Sequence, residues 1–175
     1  ISKRKVNTSD IKEKVRMIIS EVKSKRDTAL VKYSKEYDNY DVQSANELEI
    51  SKEECLEALK KISKEELEAL KFARSRIQEF SEHQKTKPWN YTSKGITLGE
   101  KITAIDKVGL YVPGGSAAYP SSVLMNSIPA KVAGVKEITM VFPSPKGKVN
   151  NMVLAAAYLG GVDRIFRIGG AHAVA

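Results

Sequence analysis

The chain has 175 residues, 42% hydrophobic and 29% charged, with a net charge of +8, one cysteine and two histidines. That length suits one ordinary domain or one and a half small ones, and the composition is that of a globular chain rather than an extended disordered one. Cys55 alone excludes an internal disulfide, no apolar run nears the ~20 residues that span a bilayer, and the start Ile-Ser-Lys-Arg-Lys lacks a signal peptide's apolar core, so the expectation is a soluble, cytoplasmic protein.

The positive charge does not gather. In the first half lysines alternate with glutamates, as in Lys12-Glu13-Lys14 and from Lys60 to Glu66, the pattern of a solvated helix face. No basic stripe is interleaved with aromatics, so neither nucleic acid nor membrane is an expected partner. His83 and His172 stand far apart with no cysteine beside either, and no metal site is expected within this chain.

Ile11, Val15, Ile18, Ile19 and Val22 recur at helical steps and predict a first helix capped by Thr8, Ser9 or Asp10. A second starts at Asp27 and carries Leu30, Tyr33 and Tyr37 on one face until Asp38-Asn39-Tyr40-Asp41 breaks it. Glu47 to Ile50 reads as a brief strand or extended lead-in. Ser51 with Glu54, and Ser63 with Glu66, have the spacing of capping boxes. The helix from Lys64 to about Glu82 is expected to bury Leu67, Leu70, Ile77 and Phe80 and to stop before Pro88. Cys55 reads as a small core residue rather than a nucleophile. Between Tyr91 and Asp106 the period shortens to two around Gly95 and Gly99, which predicts a hairpin or bulged ribbon.

From Val108 the pattern becomes strand (108–112), glycine loop, helix (about 121–134), strand (138–142), Pro-Ser-Pro-Lys-Gly turn, helix (149–159), strand (164–168) and the start of another helix. Strands alternating with helices of this length imply a parallel sheet with right-handed crossovers. The fold class expected is α/β: a mostly helical segment with a short β ribbon over 1–107, then an incomplete doubly wound, Rossmann-like sheet over 108–175. The run Gly169 to Ala175 has no C-terminal cap, so the chain reads as truncated, and parallel strands left with an open edge call for further chain or a second copy. Asp163 and Arg164 are expected to pair at the mouth of the last strand.

The chemistry concentrates in residues 108–128, where an apolar strand meets a helix through Pro113-Gly114-Gly115. Glycines can take positive φ and leave N–H groups open to a phosphate, and the following helix start adds more. The same residues also suit a plain turn, and spacing alone leaves both readings open.

Val108 to Asn126, Ile128-Pro129-Ala130-Lys131-Val132-Ala133-Gly134-Val135, Leu154-Ala155-Ala156-Ala157, Gly161-Val162-Asp163-Arg164-Ile165-Phe166 and Ile168-Gly169-Gly170-Ala171 together resemble the N-terminal half of histidinol dehydrogenase. Arg26-Asp27-Thr28-Ala29-Leu30 with Tyr33 and Asp38, and Ile77-Gln78-Glu79-Phe80 with Gln84, extend the resemblance over nearly the whole chain. It implies an NAD-dependent, zinc-containing, homodimeric enzyme that oxidises L-histidinol to L-histidine through the aldehyde. The family's zinc ligands and catalytic Glu-His pair belong to segments after Ala175, so no catalytic or metal-binding residue is assigned here and residues 1–175 alone are expected to be inactive. Tyr111 occupies the position of the family's cofactor-contacting tyrosine, beside Pro113, Gly114 and Gly115. His172 stands where the family usually has glutamine in a Gly-Gly-Ala-Gln block that touches NAD. Contact with the cofactor's anionic groups and a plain helix start are both open to it. Two other readings remain: a non-catalytic nucleotide-binding module, and a dehydrogenase of another small alcohol.

Overall fold

The structure, a computed structural model, describes residues 8–114 and 118–175. Helices α1 (Thr8–Lys25) and α2 (Asp27–Asp38) are separated by one residue, Arg26, whose φ of 49° breaks the helical path. Asn39, left-handed at φ 50°, a conformation asparagine tolerates better than most residues, ends α2, and the next residue, Tyr40, gives its N–H to the Ser34 carbonyl at 3.2 Å. After a 3-10 turn at Ala45–Leu48 come a short strand β1 (Glu49–Ile50), α3 (Lys52–Lys61) and α4 (Lys64–His83). Ser63 and Glu66 form the full reciprocal box, with Ser63 Oγ accepting the Glu66 N–H at 3.1 Å and Glu66 accepting the Ser63 N–H at 2.7 Å. At α3 only half of the predicted box forms. Ser51 Oγ accepts the Glu54 N–H at 3.1 Å, but the Glu54 carboxylate is drawn away to Arg167, whose guanidinium donates at 2.8 and 2.6 Å.

Strands β2 (Trp89–Ser93) and β3 (Ile96–Glu100) form an antiparallel hairpin closed by Lys94 and Gly95, at φ 51° and 79°. A two-residue loop with both φ positive matches the strands' right-handed twist. Trp89, Tyr91, Ile96 and Leu98 lie exposed on this ribbon.

Strand β4 (Lys107–Tyr111), α5 (Pro120–Ala133), β5 (Glu137–Val141), α6 (Asn151–Leu159), β6 (Arg164–Phe166) and α7 (Gly170–Val174) make the α/β unit. The sheet order is β1-β6-β5-β4: β4, β5 and β6 run parallel, as predicted, and β1 pairs antiparallel with β6. The brief lead-in at residues 47–50 therefore covers one edge of the sheet. Arg164 reinforces that edge by a two-point bond to Glu49, Nε to Oε1 at 2.8 Å and Nη2 to Oε2 at 2.9 Å.

Alternation along β5 decides the layers. Ile138 and Met140 are fully buried; Met140 lies in the main core with Val123, Leu124 and Ile128 of α5 and Val153 to Ala157 of α6. Helix α6 is apolar on every side because α3, α4 and α5 enclose it against the sheet. Val141 and Phe166 look the other way, toward Leu30 and Val31 of α2, Leu48, and Ala173 of α7. Helices thus lie on both faces, and Ile50, Cys55, Ala58 and Leu70 belong to the same core as the parallel strands.

Of the four positions expected to be buried along α4, Phe80 is outside the core and Leu67 is only half-buried. Ile11 is exposed near the start of α1, and Phe80 is 65% exposed on α4. The buried stripe of α4 runs instead through Leu70, Ala73, Ile77 and Ser81, and Ser81 Oγ donates to the Ile77 carbonyl at 2.7 Å. Helical spacing allows either stripe; the position of α5 and α6 selects one. Truncating Met140 to alanine should cost about 2–5 kcal/mol in denaturant unfolding, whereas Phe80→Ala should change stability by less than about 0.5 kcal/mol.

Candidate functional site

The three parallel strands end side by side, and open α/β sheets bind ligands outside such carboxyl ends. Here the ends are Val112-Pro113-Gly114 after β4, Phe142-Pro143-Ser144 after β5 and Arg167-Ile168-Gly169 after β6. The ladder runs on for one more step, with the Val112 N–H on the Val141 carbonyl at 3.0 Å and the Phe142 N–H on the Phe166 carbonyl at 3.2 Å.

Pro143, just past the end of the middle strand, is wedged between two glycines. A Cβ at Gly114 would stand 2.6 Å from the Pro143 carbonyl oxygen, and one at Gly169 would stand 2.5 Å from its Cγ and 2.8 Å from its Cβ. Gly114 lies outside the left-handed region. Positive φ, the reason the sequence suggested for a glycine there, is therefore not what position 114 uses: the missing Cβ makes room for Pro143. Gly115 lies outside the described residues.

Tyr111, the last residue of β4, is 43% exposed. Its phenolic oxygen accepts the Gly170 N–H at 2.9 Å, which ties β4 to the start of α7 across the middle strand. A phenol that accepts one bond still has its own proton to donate. Helix α5 begins nearby with Pro120 at its first position, no side-chain cap from Tyr119 and no acidic residue in its first turn. Its first N–H groups suit an anion.

Arg167, the cation just past the end of β6, is engaged elsewhere. Arg167 is largely buried against Glu54 and donates its backbone N–H to the Leu48 carbonyl at 2.8 Å. Asp163 and Arg164 do not pair with each other, because neighbouring side chains at a strand end project to opposite sides. Asp163 instead accepts from Lys131 Nζ and from the Ile138 N–H, both at 2.7 Å. Burial by itself would raise its carboxyl; these two donors outweigh that and hold it below the usual range.

His172 is only 3% exposed. Its ring packs against Tyr33 and Tyr37, with centroids 5.4 and 5.7 Å away, and neither ring nitrogen has a hydrogen-bond partner. Tyr33 donates to Glu21 at 2.5 Å, and Lys25 and Lys32 reach the same carboxylate at 2.9 Å. The Tyr33 bond, with the two lysines, draws the Glu21 carboxyl down to about 2, while the same bond pushes the Tyr33 phenol up to about 12. The histidine side chain thus serves the joint between α7 and α2, and its link to the strand-end shelf runs through Gly170, over which its ring folds. Sequence spacing gave no sign of this aromatic stack. The remaining candidates lie apart: His83 is exposed at the end of α4, and Cys55 is buried, its thiol pushed up to about 11 by desolvation. Among the described residues no three His, Cys, Asp or Glu gather where they could hold a metal ion, so zinc finds no fit among them. Nor, among them, is any helix long and apolar enough to cross a membrane.

A parallel α/β unit wound on both faces, whose strand ends share one shelf of loops, defines a Rossmann-like fold. The family model for histidinol dehydrogenase matches residues 1–175, and the chain belongs to that family. It is similar to histidinol dehydrogenases of Hydrogenovibrio crunogenus, 48% identical over 97% of this chain and 40% of the relative, and of Dechloromonas aromatica, 52% identical over 90% and 36%. The crystal structure of histidinol dehydrogenase from Elizabethkingia anophelis superimposes with a TM-score of 0.88 at 31% identity, over 99% of this chain and 39% of that one. The chain therefore spans about 40% of the length of the curated relatives it matches.

Burial lowers the proton affinity of His172, only partly offset by Glu36. Below the ordinary histidine value near ~6.5 the unfolded chain takes up a proton that the folded chain refuses, so folding weakens as pH falls. Melting temperatures should fall from about pH 7 to pH 5.5, and His172→Gln should flatten that slope; an unchanged slope would show that His172 does not set it.

Proposed function

We propose that this chain forms the nucleotide-holding part of an NAD-dependent dehydrogenase that oxidises L-histidinol to L-histidine through the aldehyde, the closing reactions of histidine biosynthesis. Family membership across residues 1–175 carries the reading of activity and substrate. The strand-end shelf supports the reading of the cofactor site: Tyr111 offers an exposed donor beside Pro113 and Gly114, and the uncapped start of α5 offers N–H groups to a diphosphate. NAD supplies the hydride acceptor when bound, and the chain's residues bind and orient it. Tyr111 donates to a phosphate or sugar oxygen, and Gly114 lets the loop lie close against Pro143. Gly115 and His172 complete the proposed set, His172 by fixing the helix that carries the Gly170 N–H. The exposed apolar residues of the β2–β3 ribbon fit a homodimer. Zinc belongs to the proposed whole enzyme, held by residues outside this chain.

Isothermal titration of the full-length polypeptide with NAD should show binding that Tyr111→Ala weakens by about tenfold, near 1.4 kcal/mol; unchanged affinity would remove Tyr111 from the site. Residues 1–175 expressed by themselves should give no histidinol-dependent NADH. Turnover above a blank would refute that division of labour.

A further inference from the structure

We propose that Pro143 is a positioning residue for the Tyr111 hydroxyl: wedged between Gly114 and Gly169, it sets the distance at which the Gly170 N–H reaches the phenolic oxygen, and so aims the phenol's proton outward as a donor to the nucleotide. The inference rests on the cofactor reading above and adds to it a residue that touches no ligand.

Tyr111 stands on the edge strand of the parallel set, and Gly170 follows the strand two places away, with β5 between them. A bond across that gap forms only if both outer loops are held at a fixed separation. Pro143 fills the gap. Its carbonyl oxygen lies where a Gly114 side chain would begin and its ring carbons where a Gly169 side chain would begin. The ring also fixes the φ of Pro143, so the spacer is stiff along the line between the two loops. Gly169, at φ −134° and ψ −168°, has an extended backbone open to any residue. Its glycine is explained by the proline ring against it rather than by conformation.

The hydroxyl's direction follows. With the Gly170 N–H on one lone pair, the Tyr111 O–H cannot donate to that nitrogen and its proton is free for an acceptor in solvent or on a ligand. A phenol without the strut rotates its proton freely and pays for ordering when the ligand arrives. The chemical class selected is an anionic or hydroxyl oxygen, as on a phosphate or ribose.

The test is a double-mutant cycle in the full-length polypeptide, read as the Kd of NAD by titration calorimetry, with the KM for histidinol and the melting temperature measured alongside. Tyr111→Phe keeps the ring and removes the hydroxyl, and should raise the Kd about fivefold to tenfold. Pro143→Gly should raise it severalfold with the KM for histidinol unchanged, and in the Tyr111→Phe background should add nothing, because it acts through the hydroxyl. Amide exchange at Gly170 should quicken in Pro143→Gly. Should that variant fail to fold, Gly169→Ala, which drives a methyl into the proline ring, replaces it in the same cycle. Effects that multiply in the double variant, or an unchanged Kd in the folded Pro143 or Gly169 variant, overturn the positioning role while leaving Tyr111 in the site. Absence of NAD binding, or no effect of Tyr111→Phe, overturns the cofactor reading and the positioning role together.

Discussion

Burial of the middle strand between two layers of helices is the constraint on which the rest of this structure depends. A strand covered on both faces is largely apolar, and past Glu137 β5 has only Thr139 as a polar residue: Ile138 and Met140 face one layer, Val141 the other. Once β5 is enclosed, β4 and β6 have nowhere to pair except along its two edges, and the crossovers through α5 and α6 fall on one face. The N-terminal helices then find their places by filling what is left. Helix α3 lies on α6 and α4 on α5, while α2 and α7 close the opposite face.

The same enclosure brings three loops to one end of the sheet. Strand ends spaced by backbone hydrogen bonding are too close for three ordinary loops, and glycines at 114 and 169 resolve the crowding around Pro143. What results is a shelf made mostly of backbone, with the exposed Tyr111 hydroxyl on it. For the dinucleotide of the proposed function, preorganisation of this kind means that ordering is done before binding rather than during it.

Charge has a different part. The alternating lysines and glutamates of the helices make exposed pairs such as Lys60 with Glu57 and Lys71 with Glu68, which contribute little each. The pairs that fix architecture join distant segments: Arg164 to Glu49, Arg167 to Glu54, Lys131 to Asp163. The first two tie the parallel unit to the segment before it, and the third joins α5 to the start of β6 within the unit. In the proposed function, the anion contacts at the shelf are N–H groups and the Tyr111 hydroxyl.

Local pattern made much of this legible beforehand. Periodicity placed the long helices and the three parallel strands to within a residue or two, because helix and strand periods are properties of the chain itself. The Ser63 cap and the Lys94-Gly95 turn are likewise decided by neighbours in sequence, and the strand-loop-helix arrangement at Tyr111 was readable for the same reason. What lay outside that reach depends on residues far apart in the chain. The choice of Leu70, Ala73, Ile77 and Ser81 over Phe80 as the buried stripe needed the position of α5 and α6. The loss of Glu54 to Arg167 needed a partner more than a hundred residues away, and so did the pairing of β1 with β6. The enclosure of His172 by Tyr33 and Tyr37 and the wedge of Pro143 between two glycines are contacts that no spacing encodes. Sequence determined which segments would be helix or strand and which end of the sheet would carry the glycines; tertiary packing decided which faces met, because burial is settled by whatever surface the folded chain brings opposite.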